Sequence, residues 1–264
     1  MKLSLSLRLI VFALLFTVLG AFASDKPLIN SLGMKFVPAG TPGVLFSVWD
    51  TRVEDYQAFV TATQGGWLRP FFKQGPTEPA VDVSMDDAIA FCQWLTEKEI
   101  KEGILKPNQA YRLPTDAEWS KAVGLDERAD GTPEGKSFKI KDVYPWGTSY
   151  PPPLDAGNYN RKGDGDDTSS QSDLVGTDGY AFTSPVGAFK PNRYGLFDMG
   201  GNVWQWCQDR YGGRDDHFSR VLRGGSWFSV KPDYRLSSAR WNDVRYSRIY
   251  DEGFRCVLSS ASLP

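Results

Sequence analysis

The chain has 264 residues, a formal net charge of −2 at pH 7 and a hydrophobic fraction of 41%. The near-neutral charge and the absence of a basic block exclude nucleic acid as the main partner, and the apolar fraction is ample for a sizeable core. The single histidine, His217, excludes zinc or iron sites that need two or three imidazoles from this chain.

The N-terminal stretch has the pattern of a secretory signal. Lys2 and Arg8 form a positive region, residues 9–19 form an apolar run too short to span a bilayer comfortably, and residues 21–23 supply an A-x-A cleavage site. We expect cleavage after Ala23 and an exported protein, periplasmic or extracellular, without a stable membrane span. The alternative is that residues 1–23 stay as an uncleaved anchor.

Three segments carry the pattern of a helix start, in which a hydroxyl side chain is followed three residues later by an acidic one. The predicted helices run from Thr51 to about Val60, from Ser84 to about Ile100 and from Thr115 to Gly124. In the second, Ala88, Cys92 and Leu95 share one face by helical spacing, so that Cys92 is predicted to be buried.

Beyond Gly124, glycine, proline, asparagine, aspartate and aromatic residues dominate and long periodic runs are few. Residues 220–223 and 253–258 are predicted strands, and the remainder is predicted to be ordered loops. Because no linker divides residues 27–262, we expect one domain.

Several short motifs occur in a fixed order along this chain. They are Asn-Ser-Leu-Gly-Met at 30–34, Tyr-Arg-Leu-Pro-Thr at 111–115, Tyr-Pro-Trp-Gly at 144–147, Gly-Gly-Asn-Val-Trp at 200–204, Arg-Gly-Gly-Ser-Trp at 223–227 and Gly-Phe-Arg-Cys at 253–256. Together they resemble the formylglycine-generating enzyme family, also called sulfatase-modifying factor domains, whose better-known members oxidise a cysteine in sulfatases. The resemblance implies an irregular, loop-rich α+β fold related to C-type lectins, with little regular secondary structure.

The resemblance also implies a disulfide between Cys92 and Cys256, which suits an exported chain. Cys207 is then left over, and it is interpreted as a buried free thiol in preference to a reactive one.

Two calcium sites follow from the same resemblance, because calcium prefers clustered oxygen ligands that include backbone carbonyls. The first would use Asn158, Tyr159, Asp178 and Tyr180, and the second, weaker one would use Gly200, Gly201, Val203 and Gln205. The alternative for the first is an asparagine and an aspartate that only form turns. For the second it is a direct hydrogen bond of Gln205, which lacks the charge of the family's glutamate.

The copper chemistry of the family is not expected here. Its oxygen-dependent enzymes hold copper(I) with two thiolates. The resemblance places the first at Ser229 and the second near Tyr234, with Pro232 as the alternative position. Oxygen groups cannot replace thiolates for this soft ion. Ser226 matches the family's active-site serine, but a serine alone cannot activate oxygen.

Residues 228–252 are rich in tyrosine, serine, aspartate and arginine, a composition typical of binding surfaces. The candidate binding residues are Trp227, Ser229, Tyr234 and Arg240. The alternative is that the arginines form internal ion pairs with the acids of the same region, which are Asp233, Asp243, Asp251 and Glu252.

Three functions are compatible with these observations. The favoured one is an exported, catalytically degenerate member that binds a protein, peptide or glycan, with a sulfatase client possible. The second is an oxidoreductase of the same family in which Cys207 would be the candidate reactive sulfur. The third is a structural cell-envelope protein. A relationship to exported pyoverdine-maturation proteins, or to lectin-fold proteins diversified by retroelements, is compatible with the first of these three functions.

Overall fold

The computed structural model describes residues 26–159, 178–213 and 216–260. The predicted signal segment, residues 1–23, lies outside the described residues. Within these ranges no helix is both long enough and apolar enough to cross a membrane.

The α-helices of the described residues are α1 Val53–Thr63, α2 Met85–Lys101, α3 Asp116–Val123 and α4 Pro133–Lys136. Two predicted starts are confirmed, because the hydroxyls of Ser84 and Thr115 accept the backbone N–H three residues on. These bonds satisfy free donors of the first turn.

The first predicted helix starts one residue late and runs three residues further than expected. Its N-cap is Arg52, whose backbone N–H donates to Asp55. Thr51 does not cap it, because the chain at Thr51 is held extended by hydrogen bonds to Phe254 and Ala80. The helix ends where Gln64 adopts a left-handed conformation.

The first sheet has the order β1-β2-β3-β9-β4, and all its neighbours are antiparallel. Its strands are β1 Leu28–Ile29, β2 Lys35–Pro38, β3 Val44–Ser47, β4 Gln109–Arg112 and β9 Val257–Ser260. The C-terminal strand β9 therefore lies between two strands from the N-terminal half.

The second sheet has the order β7-β6-β5-β8, with β8 parallel to β5. Its strands are β5 Trp204–Arg210, β6 Ser219–Arg223, β7 Arg240–Val244 and β8 Glu252–Gly253. The predicted strand at 220–223 is confirmed, whereas the single strand predicted at 253–258 is wrong. The chain crosses between the two sheets there, and the carbonyls of Phe254 and Cys256 bond to Thr51 and Ser47.

Two large apolar clusters fill the interior. The first gathers α1, α2 and the adjoining sheet faces around Phe91, Trp206 and Phe254. The second packs α3 against both sheets around Trp119 and Val221. Two small sheets, few helices and long ordered loops confirm the expected irregular α+β architecture.

Candidate functional site

The loop after β6 places Ser226 in a tightly packed turn. Gly224 and Gly225 have φ values of 98° and 74°, a region that favours glycine. A Cβ on Gly225 would lie 3.0 Å from the carbonyl oxygen of Tyr234 and 3.3 Å from Oγ of Ser229. The two glycines thereby allow the segment around Tyr234 to fold back onto the Ser226 turn.

The hydroxyl of Ser226 is hydrogen-bonded to the carboxylate of Asp251. Its Oγ donates to Oδ2 of Asp251 at 2.6 Å, and its backbone N–H donates to Oγ of Ser229 at 2.9 Å. All three side chains are buried, and burial raises the pKa of Asp251. His217 lies at the opposite end of β6 from Ser226. An imidazole base that could activate this serine is therefore not part of the site.

The positions that correspond to the copper cysteines present oxygen atoms. Ser229 is hydrogen-bonded to the Ser226 backbone, and the ring of Tyr234 packs against Trp204 and Trp241. Cys207 lies in the core cluster around Trp119, and burial raises its thiol pKa well above the usual value. Its thiol is buried, as interpreted from the sequence, and it offers no thiolate to the site.

An aromatic cluster adjoins the Ser226 turn. Buried Trp227 contacts Phe72, Phe182, Phe228 and Tyr250, with ring centroids 5.2–6.0 Å apart. Phe71 contacts Phe72, Phe182 and Tyr250, and is 62% exposed, while Phe228 is 40% exposed.

Sequence reasoning singled out Trp227 but missed Phe71 and Phe72. Two adjacent phenylalanines in a loop beyond the Gly65-Gly66 pair are the feature that would have indicated them.

Arg240, predicted to bind a ligand, is instead a fully buried structural residue. Its guanidinium bonds both oxygens of Asp116 and also contacts Glu127. Arg223 contacts Asp116 as well and stacks over Trp119 at 4.2 Å. Burial raises the pKa of Asp116, but the two guanidinium groups outweigh it and lower that pKa to about 2. Arg240 is thus unavailable to a ligand.

The alternative of ion pairs with Asp233, Asp243, Asp251 and Glu252 is wrong for the arginines of this region, whose ion pairs among the described residues are with acids of other segments. Arg245 pairs with Asp86 and Arg248 pairs with Asp87, which tie the loop after β7 to the start of α2. Glu252 has a buried oxygen that finds no hydrogen-bond partner among the described residues. Burial, together with Asp243, Asp251 and Asp82, raises its pKa to about 9.

The residues of the first calcium set lie together at the edges of two described segments. The carboxylate of Asp178 accepts the backbone N–H groups of Tyr159 and Tyr180, both at 3.1 Å. The amide of Asn158 donates to the carbonyl of Phe182 at 2.7 Å. The bond from the Tyr180 N–H to Asp178, two residues earlier, forms a turn of the kind that the alternative expected, and calcium at this set stays a prediction.

The second calcium set does not fit an ion at Gln205. Its Oε1 accepts from Trp119 and from the Arg255 guanidinium, each at 2.8 Å, and its amide donates to the carbonyl of Asp198. Because that oxygen is already shared by two donors, one of them cationic, the direct hydrogen bond replaces the ion as the role of this side chain.

The implied disulfide partners are adjacent. The sulfur atoms of Cys92 and Cys256 lie 3.5 Å apart as unbonded thiols in the first apolar cluster. The pairing stays a prediction.

A family model described as the sulfatase-modifying factor enzyme 1-like domain matches residues 40–260. The formylglycine-generating enzyme of Thermomonospora curvata is 30% identical over 84% of this chain and 69% of its own length. Proteins named inactive C-alpha-formylglycine-generating enzyme 2 are 33% identical in Bos taurus and 35% in Mus musculus, over 70% of this chain. The chain spans about half of their length, 52% and 50% respectively.

Two solved structures share the fold. PvdO from Pseudomonas aeruginosa superposes with a TM-score of 0.61 at 21% identity, covering 89% of this chain and 98% of PvdO. CarF superposes with a TM-score of 0.56 at 22% identity, covering 83% of this chain and 87% of CarF. At these identities the likeness concerns the fold alone.

Proposed function

We propose that this chain, which belongs to the sulfatase-modifying factor enzyme 1-like domain family, is an exported, non-catalytic member that acts as a binding or accessory module. The observation that carries this function is the pair of oxygen-bearing residues, Ser229 and Tyr234, at the positions where copper(I) would need thiolates. The names of the two mammalian relatives call them inactive, which is consistent with a retained scaffold without the activity.

The ligand surface is the aromatic cluster beside the Ser226 turn. Phe71 and Phe228 are exposed enough to contact a partner, and Trp227 and Tyr250 hold their rings in place. Burying such rings supplies most of the binding free energy in typical protein interfaces. The indole N–H of Trp227 has no acceptor within the described residues. Because the exposed rings of Phe71 and Phe228 are apolar, the proposed ligand is a protein segment with apolar side chains.

Calcium at Asn158 and Asp178 would stiffen the loop ends beside this surface. Phe182, whose carbonyl accepts from Asn158, also stacks on Phe72 with ring centroids 4.5 Å apart. A calcium titration of the wild-type chain and of Asp178→Asn tests this role, and equal affinities of the two would exclude it.

Peptide-library selection on the mature chain tests the ligand surface. We expect the wild-type chain to enrich apolar segments, and the double variant Phe71→Ser/Phe228→Ser to bind the enriched peptides at least about tenfold more weakly, since two ring contacts are lost. Phe218→Ser is the matched control, because Phe218 is 64% exposed but does not belong to the aromatic cluster.

Enriched peptides that bind the double variant and the wild-type chain equally would contradict the surface. Failure to enrich any peptide would favour a structural role for the exposed rings.

A further inference from the structure

A cavity of about 580 Å³ lies apart from the Ser226 turn and the aromatic cluster, since none of its lining residues belongs to either. The volume falls within the range of small-molecule sites. Its residues come from the loops around 143–156 and 190–200, from the end of α3 and from Ser237.

One wall of the cavity is rigid and apolar. Tyr144 and Trp146 stack in parallel, with ring centroids 4.7 Å apart and planes 8° from parallel. The indole N–H of Trp146 is fixed by a hydrogen bond to the carbonyl of Ser149 at 2.8 Å. Such a wall offers contact area to an apolar side chain at little entropic cost.

The floor of the cavity holds two polar side chains with unused capacity. Asp198 is 6% exposed and Ser237 is 1% exposed. One oxygen of Asp198 accepts the N–H of Gly187 at 2.9 Å, whereas its Oδ1 and the hydroxyl of Ser237 have no hydrogen-bond partner within the described residues. Buried polar atoms are nearly always paired, so these two oxygens are open to a donor from a ligand or from water. An ammonium group offers three N–H donors and the charge that complements a carboxylate.

The rim of the cavity is positively charged. The charge of Lys190 is balanced by Asp155, with which it forms an ion pair at 2.5 Å. Arg193 lies over the Tyr194 ring and donates to its hydroxyl at 3.0 Å, and across the described ranges it forms no ion pair with a carboxylate. The cavity therefore presents the Asp198 carboxylate at its floor, where the buried guanidinium of Arg255 also lies nearby, and an exposed positive charge at its rim.

We propose that this cavity binds a zwitterion of about dipeptide size. The ammonium group contacts Asp198 and Ser237, the apolar body lies along Trp146, and the carboxylate faces Arg193. A metal ion satisfies the floor less well, because among the residues described no group of three His, Cys, Asp or Glu side chains is placed to hold one. This site is independent of the aromatic cluster and adds a small-molecule ligand to the proposed function.

The test measures the binding of three ligands to the wild-type chain and to its variants by calorimetric titration. The probes are L-alanyl-L-phenylalanine, its N-acetyl derivative, which lacks the ammonium, and its C-terminal amide, which lacks the carboxylate. For the wild-type chain we expect the N-acetyl form to bind at least about tenfold more weakly, as for a lost charge-assisted hydrogen bond to a buried group. The amide should bind up to about fivefold more weakly, because its partner is exposed.

Two variants assign the ends of the ligand. Asp198→Asn should remove the preference for the free ammonium and keep the preference for the free carboxylate, and Arg193→Gln should do the reverse. Asparagine suits position 198, since Asp198 has a φ of 54°, which asparagine tolerates. Ser237→Ala, which weakens only ammonium binding, provides a second variant at the floor. Asp243→Asn, away from the cavity, should change nothing.

Absence of dipeptide binding, or an unchanged ammonium preference in Asp198→Asn, would overturn the proposal. Competitive displacement of the dipeptide by calcium alone would also overturn it, because the floor would then be a cation site. The Phe71→Ser/Phe228→Ser variant should bind the dipeptide like the wild-type chain. This keeps the outcome separate from that for the aromatic surface.

Discussion

Ser226, Ser229 and Asp251 form a hydrogen-bonded set in which each polar group already has a partner inside the protein. Copper(I) needs soft ligands, and these three side chains provide only oxygen atoms. The proposed loss of catalysis therefore depends on the identity of single side chains. The turn that carries Ser226 and Ser229 keeps the glycines of the family motif.

Glu252→Gln is expected to stabilise the protein at alkaline pH. Burial and the neighbouring carboxylates raise the Glu252 pKa from 4.5 to about 9. Because the folded pKa lies above the unfolded one, this group's favourable contribution is complete below about pH 4.5 and is lost as pH rises through 9. Urea unfolding should give similar free energies for variant and wild type at acidic pH. Near the raised pKa the variant should be more stable by about 1–3 kcal/mol, the cost of an unpaired buried group.

Glu97→Gln, at an exposed position of α2, is the control and should have no effect at either pH. An equal change for Glu252→Gln at both pH values would show that packing, and not the charge of Glu252, sets its contribution.

At the scale of elements, one buried charge centre joins α3, β6 and β7. Asp116 begins α3, Arg223 ends β6 and Arg240 begins β7, and the three side chains meet with almost no exposure. Removing one partner of such a set leaves uncompensated buried charge. The centre therefore fixes the second sheet against the helical half of the fold.

Arg240→Gln should accordingly destabilise the fold by about 3–5 kcal/mol. Arg248→Gln is the matched control, because its ion pair with Asp87 is largely exposed and should contribute less than about 1 kcal/mol. Chemical unfolding of both variants measures the difference. A small effect of Arg240→Gln combined with loss of ligand binding would restore Arg240 as a binding residue.

The elements differ in how far the sequence could predict them. The starts at Ser84 and Thr115 were predictable because a cap is a contact between residues three apart. The start at Arg52 was not, since it depends on Thr51 being held by the distant residues Phe254 and Ala80. The division of residues 253–258 into β8 and β9 likewise depends on which sheet edges lie nearby.

Prediction of the candidate site from the sequence has the same limit. The resemblance drew attention to Ser226, Ser229 and Tyr234, because the identity of a residue within a motif can be read from a short stretch of sequence. Burial of Arg240 and the contact of Phe71 with Tyr250 depend on segments more than 100 residues apart. Composition alone could not distinguish an exposed arginine from one that is buried and paired.

At the scale of the whole molecule, two features connect the N-terminal and C-terminal parts of the described residues. Strand β9 pairs with β3 and β4, and Cys256 lies next to Cys92. The predicted bond between these cysteines would close a loop of more than 150 residues, since they are 164 positions apart. A cross-link of that span stabilises by about 4–5 kcal/mol in the chain-entropy model.

We expect the protein, exported as proposed, to contain this bond and one free thiol at Cys207. Mass spectrometry of the alkylated, unreduced chain should show one modified cysteine, and reduction should lower the free energy of unfolding by about 4–5 kcal/mol. Cys207→Ser should leave the bond intact. Three alkylated cysteines in the unreduced chain would refute the pairing.

The most direct test of the non-catalytic function is an activity measurement on the mature chain. The chain is incubated with copper(I), oxygen and a peptide that carries Cys-x-Pro-x-Arg, and conversion of the cysteine to formylglycine is followed by mass spectrometry. The formylglycine-generating enzyme of Thermomonospora curvata serves as the positive control. We predict no conversion by this chain under conditions in which the control converts the peptide completely. Conversion would show that oxygen groups at Ser229 and Tyr234 suffice for the reaction, and would contradict the proposed function.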